Sequence, residues 1–211
     1  MFALSVSAGV LTAEPVQAQE SVQDPAWPCD QALVPQIAAA VVWDGPPVDG
    51  LAWRNSEQVV ALVGQVAPPA TTEAAATAAI TAFAAGLPTQ NKERMLTLAF
   101  AGILEVLNRD RQVLMDGIKR YSLDQTRRAA ALGEELDQLV RLEQDPSPTA
   151  AEQREALKKR MTLAERAFDE REKSFPYLCT RPVVVEQRLG LLARTIAALI
   201  GDTGEHGPSV P

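Results

Sequence analysis

Three tryptophans, Trp27, Trp43 and Trp53, fall in one 27-residue window that also holds the carboxylates Asp44 and Asp49. Indole faces attract cations and CH-rich sugar rings, and neighbouring carboxylates add charge and hydrogen bonding. These five residues are therefore the candidate ligand or partner surface. The competing expectation, favoured by the proline-rich surroundings, is that the indoles anchor an irregular segment onto the body of the protein. Backbone with few regular hydrogen bonds needs large apolar side chains to hold it down. The Asp-Gly pairs at 44–45 and 49–50 do not form a calcium loop, which needs oxygen ligands at alternating positions and a later glutamate.

Other chemistry is thinly represented. The single histidine, His206, stands in a polar C-terminal stretch, which argues against a Ser/His/Asp or Cys/His centre. No phosphate-cradling glycine loop and no haem-attachment motif is present. Glu134-Glu135 and Asp169-Glu170 are adjacent acids, but on charge-balanced helices such pairs are solvated surface. Two cysteines and one distant histidine do not make a spaced metal-ligand set. The expectation is a non-enzymatic chain with no metal and no cofactor.

Cys29 and Cys179 are the only cysteines. Residues 2–11 form a short apolar run, and Val16-Gln17-Ala18 is the small-residue pattern a signal peptidase accepts, so residues 1–18 read as an export signal. In an exported chain an even cysteine pair reads as one disulfide, and the expected location is periplasmic or secreted. No other segment reaches the roughly 20 apolar residues of a membrane span.

The 211 residues carry 20 Lys+Arg and 27 Asp+Glu, a net charge of −7. Residues 19–90 hold seven acids against Arg54 alone, whereas residues 91–180 hold 16 of each sign. The acidity thus belongs to the N-terminal part, and nine of the 15 prolines precede residue 90. Nucleic acid is not expected as a partner, because phosphate contacts need clustered Lys and Arg.

The positioning elements read as helices. Phe100, Leu104, Leu107, Leu114, Ile118 and Tyr121 recur at spacings of 3, 4 or 7 in a stretch without proline, followed by Ala129, Leu132, Leu136 and Leu139. Ser122 to Gln125 has capping-box form, so 91–144 is either one helix or two. After the turn Asp145-Pro146-Ser147-Pro148, Thr149 with Glu152 reads as a second capping box. Leu157, Met161, Ala164, Phe168 and Phe175 then repeat in helical steps. The two stripes predict an antiparallel, coiled-coil-like hairpin over 123–175. Acid-first pairs at i, i+4, namely Glu105/Arg109, Asp116/Arg120, Asp124/Arg128, Asp137/Arg141, Glu155/Lys159 and Asp169/Lys173, mark a solvated helical face.

Residues 183–200, read as starting after Pro182, predict a central helix apolar on more than one face. Ser56–Val66 and the alanine-rich Thr72–Ala85 predict two further helices, and 201–211 a disordered tail. The expected fold class is all-α: a helical bundle over 56–200 with an irregular Trp- and Pro-rich acidic extension at 19–55. The function that follows is that of an interaction, scaffold or chaperone-like module, whose partner is another envelope protein or a second copy. The alternative is a small-ligand-binding or enzymatic helical domain with its site near Trp43, Asp44, Asp49 and Trp53.

Overall fold

The computed structural model describes residues 24–201, so residues 1–18, read above as an export signal, most of the expected tail and His206 lie outside the described residues. All regular structure among the described residues is helical: α1 (Ala39–Val42), a 3-10 turn (Trp53–Asn55), α2 (Glu57–Val66), α3 (Glu73–Ala85), α4 (Thr89–Glu143), α5 (Pro148–Glu172) and α6 (Phe175–Gly201). None of these helices is long and apolar enough to cross a membrane.

Local signals start the shorter helices. Ser56 Oγ accepts from the Val59 amide at 3.4 Å, and Thr72 Oγ1 from the Ala75 amide at 3.2 Å, so each side chain satisfies a donor that the first turn leaves open. Small side chains then set how closely α3 packs. Ala76, Ile80 and Ala84 are its buried residues, spaced by four, and this stripe meets α2 and α6.

The main core joins α2, α3, the first part of α4 and the end of α6. Val59, Val66, Ile80, Leu96, Phe100, Ile103, Leu189, Leu192 and Ile196 are fully buried there. Burying side chains of this size contributes about 1.5–3 kcal/mol each, which outweighs the weak propensity of β-branched residues for helix. The segment before α2 joins this core: Trp43, Val48 and Trp53 are buried within it. Trp43 stacks on Phe100 with centroids 4.1 Å apart and planes at 11°.

A strap formed by residues 24–37 crosses the α4/α6 seam. It is held by the Cys29–Cys179 disulfide, which joins residues 150 positions apart, and by Gln31 Nε2 donating to the Cys179 carbonyl. The Asn108 side chain accepts from the Ile37 amide at 2.9 Å and donates to the Ile37 carbonyl at 3.0 Å. Arg111, 3% exposed, pairs with Glu186 at 2.7 Å and donates to the Val34 carbonyl. A buried guanidinium is tolerated here because its donors meet a carboxylate and a carbonyl.

Beyond Leu107, α4 leaves the main core, and no residue from 108 to 184 belongs to that cluster among the described residues. α5 lies along this outer half of α4. Arg154 donates to the Leu142 carbonyl, Arg160 Nε to Glu135 at 2.8 Å, and Gln125 Nε2 to the Phe168 carbonyl at 3.1 Å. Leu157 and Met161 fill the interface, while Tyr121 meets Phe175 edge-on at 5.3 Å.

The structure corrects several boundaries. α4 is one helix of 55 residues, roughly 80 Å long at 1.5 Å per residue, and the Ser122–Gln125 pattern starts nothing. Gln125 is buried and its amide is used across the helix pair, on Phe168 and Glu172, so it does not cap its own helix. α5 is capped by Ser147, which accepts from the Ala150 amide at 3.2 Å; Thr149 already lies inside the helix, and Pro148 occupies the first turn, where its missing N–H costs nothing. α5 ends at Glu172, so Phe175 opens α6 instead of closing the helix before it.

Pro182 is not a start either: α6 begins seven residues earlier and runs through it. The lost hydrogen bond to the Leu178 carbonyl costs about 3 kcal/mol in an isolated helix. Full burial of the Pro182 ring and the cross-link at Cys179 hold the turn in place. Gly201, assigned to the tail, is the last residue of α6. Among the expected charge pairs, Glu105/Arg109 and Asp124/Arg128 form. Asp116 instead meets Lys119, Glu155 meets Lys158 and Lys173 meets Glu170, all at i, i+3. Three- and four-residue spacings are both neighbours on a helix, and rotamers choose between them.

Candidate functional site

Of the five residues singled out by type, the fold brings only Trp53 and Asp49 to one cleft. It has a volume of about 640 Å³ and lies between the N-terminal segment and the mid-part of α4. Its polar wall is made by Glu105, Asn108, Arg109 and Gln112, one face of α4 presented by the 3-, 4- and 7-residue spacing of that helix. Gly50, at φ +72°, turns the chain between Asp49 and Leu51 and so places Asp49 at the rim.

Trp43 and Asp44 do not line this cleft. Trp43 is 7% exposed, stacked on Phe100, with its indole N–H donating to the Pro46 carbonyl at 2.8 Å, and Asp44 is exposed. Trp27 is half-buried in the strap, its N–H donating to the Gln31 carbonyl at 2.7 Å. Each of the three indoles has a partner within the protein, and two are core residues.

Glu105 organises the cleft. One of its oxygens accepts from Trp53 Nε1 at 2.9 Å and Arg54 Nη1 at 2.8 Å, the other from Arg54 Nη2 at 2.6 Å. Arg54 lies 4.3 Å over the Trp53 ring, so the accessible indole face carries a cation from the same chain. The Arg54 guanidinium, and after it the Trp53 N–H, lower the Glu105 carboxyl to a pKa of about 2. A carboxylate with so little affinity for protons is a weak base and carries no proton to donate at neutral pH. The cleft therefore does not assemble an acid–base pair around Glu105, and its polar groups serve mainly to hold Trp53 and the strap on α4.

Glu105 was recognisable in sequence only as the partner of Arg109. Its bonds to Trp53 and Arg54 span 52 and 51 positions, and no local pattern announces a contact of that range.

Further apolar side chains are exposed beyond this cleft, the nearest group sharing Val113 with it. A groove of about 600 Å³ between α4 and α6 is floored by Leu107, Leu114 and Val185 and edged by Val113, Tyr177 and Val184, which are 62%, 63% and 55% exposed. On the outer half of α4, Leu136 and Val140, one turn apart, are 53% and 47% exposed, and Leu123 on α4 and Leu163 on α5 are exposed singly at 48% and 67%. No three His, Cys, Asp or Glu side chains cluster as metal ligands among the described residues. No protein-family model, no curated protein and no solved structure matches this chain.

Proposed function

We propose that this chain is an exported, non-enzymatic helical protein that works as an interaction or scaffold module of a chaperone-like kind, with the outer half of α4 and α5 as its working part. The order of their contacts, Gln125 with Phe168, Glu135 with Arg160 and Leu142 with Arg154, is that of an antiparallel, coiled-coil-like hairpin. The irregular proline-rich segment before α2 serves as an anchor on the head, the part of the protein built around the main core of α2, α3, the first part of α4 and the end of α6. Export is supported by the apolar run at 2–11 and the Cys29–Cys179 cross-link, which suits an oxidising compartment.

One observation carries the reading. A helix of 55 residues continues far beyond the core that stabilises it, and its outer part leaves Leu136, Val140 and, on α5, Leu163 in water. Leu136 and Val140, one turn apart on the projecting part of α4, support a surface completed by another chain.

The test is site-directed photo-crosslinking in the producing cell, with the crosslinker placed at Thr126, Leu136, Val140 or Thr162 on the hairpin and at Gln58 or Thr81 on the head as controls. Protein adducts from the hairpin positions, lost when Leu136, Val140 and Leu163 are replaced by glutamate, are the expected result. Adducts only from the head, or none, would overturn the reading.

The cleft at Trp53 and Asp49 supports a second reading, a small-ligand site. Binding of a small cationic or sugar ligand that perturbs Trp53 fluorescence and disappears in Asp49→Asn would favour it.

A further inference from the structure

We infer that the Cys29–Cys179 bridge is a redox latch: a dithiol protein reduces it in the native state and frees the strap of residues 24–37 from the α4/α6 seam, while the head stays folded. The inference goes beyond the reading of the hairpin and does not depend on it.

The strap is held by its cross-link more than by burial. Among residues 24–37 Cys29 alone is buried; Trp27 is half-buried, and its indole N–H donates to Gln31 within the strap itself. None of residues 24–36 joins the main core or packs against it, and Ile37 reaches only its edge. The other ties are polar and partly open to water: Gln31 to the Cys179 carbonyl, Asn108 to Ile37, Arg111 to the Val34 carbonyl, and Asp24 to Lys119 at 3.5 Å. Hydrogen bonds that water can replace stabilise little, whereas ordering irregular backbone costs conformational entropy at every residue. The bridge offsets that cost by keeping the strap at its site at a high effective concentration.

The bridge is also within reach of another thiol. Cys29 and Cys179 line a surface cavity of about 390 Å³ walled by Pro28, Phe175, Pro176 and Val183. Cys29 is 9% exposed, and Cys179 is the more exposed of the two. Access therefore sets the order of events. A thiolate of the dithiol attacks Cys179 Sγ and forms a mixed disulfide, the S–S bond breaks, and Cys29 leaves as a thiolate that takes up a proton. The second thiol of the donor, as its thiolate, then attacks the donor sulfur of the mixed disulfide and releases Cys179, which is protonated in turn. Two electrons and two protons pass from the dithiol to the bridge, and the donor is left as a disulfide. In an oxidising compartment the latch stays closed until a donor of this thioredoxin-type chemistry meets it. Once the strap is away, Arg111, 3% exposed in the closed form, loses the Val34 carbonyl and meets water, so the open seam presents a cation that the closed one hides.

The test treats the full, oxidised chain with excess dithiothreitol and no denaturant, and follows thiol alkylation and hydrogen exchange. The expected result is two alkylated cysteines and exchange at least about tenfold faster in residues 24–37, with the amides of α2 and of 96–107 still protected. Reoxidation restores the closed pattern. A thioredoxin-type protein lacking its resolving cysteine is trapped on Cys179, as read from the mass of the linked peptide. A bridge that resists dithiothreitol until the chain is denatured overturns the inference. So does reduction that leaves the strap as protected as before, or that opens strap and head together. Capture on Cys29, or no capture at all, overturns the assigned donor and order of attack.

Discussion

Arg171 lies with its guanidinium 4.1 Å over the ring of Tyr121, and the Tyr121 hydroxyl in turn donates to the Arg171 carbonyl at 3.0 Å. The same guanidinium donates to Gln125 at 3.0 Å and to Asp124 at 2.9 Å, so one side chain near the end of α5 ties together three residues of α4. Polar groups at such a seam fix which residues face each other, a choice that the alanines and leucines further out leave loosely specified. Arg171→Leu keeps the bulk and removes the cation and the donors. It should cost about 2 kcal/mol in urea denaturation. A loss under about 0.5 kcal/mol would mean that apolar packing alone sets the register.

At Gly102, α4 comes close to both Trp53 and, in α2, Val63. A Cβ there would stand 2.8 Å from both Trp53 Cδ2 and Val63 Cγ2. Gly102→Ala should destabilise by about 1–3 kcal/mol through overpacking, despite the better helix propensity of alanine. The accompanying sign is a red-shifted tryptophan emission as Trp53 is pushed toward water. Unchanged emission and stability would show that the indole can shift without cost.

Glu105 makes stability depend on pH in a known direction. Its carboxyl is held near pKa 2, below the ordinary glutamate value, by Arg54 and Trp53, so the ionised form favours the folded state. That contribution is complete above the unfolded-state value and fades as pH falls from about 4.5 through 2. Since both side chains are about half exposed, solvent screening limits it to about 1 kcal/mol. The stability difference between wild type and Glu105→Gln should be constant from pH 7 to about 5 and shrink below that. A difference that grows on acidification would contradict the assignment.

Removing the cross-link should act on the whole fold. Cys29→Ser/Cys179→Ser frees a loop of 150 positions and is expected to cost about 2–5 kcal/mol, seen as a lower midpoint of denaturation. Hydrogen exchange should rise first in residues 24–37, whose remaining ties include Asn108, Arg111, the Gln31 amide and the Asp24–Lys119 ion pair at 3.5 Å. Uniform exchange with no early opening of the strap would show that it is held without the disulfide.

Features governed by short-range chemistry were readable from the residues alone. Ser56 and Thr72 cap because a side-chain oxygen and an amide three residues on meet whatever the rest of the chain does, and the spacing of Phe100, Leu104 and Leu107 marks a buried helical face for the same local reason. The absence of clustered basic residues from the N-terminal acidic part was likewise a matter of counting. Where two local signals competed, distant contacts chose between them. Gln125 had the form of a cap but is consumed by α5, and Pro182 had the form of a helix start but is buried inside α6. The candidate cleft was least legible of all. Trp53 and Asp49 could be named by type, but Glu105, 52 positions from Trp53, decides whether the indole is free, and that pairing exists only once α4 and the N-terminal segment are packed. Local propensities are energies of a few tenths to about 1 kcal/mol, while burial and charge-assisted bonds across the fold are several times larger, so tertiary structure has the final word wherever the two disagree.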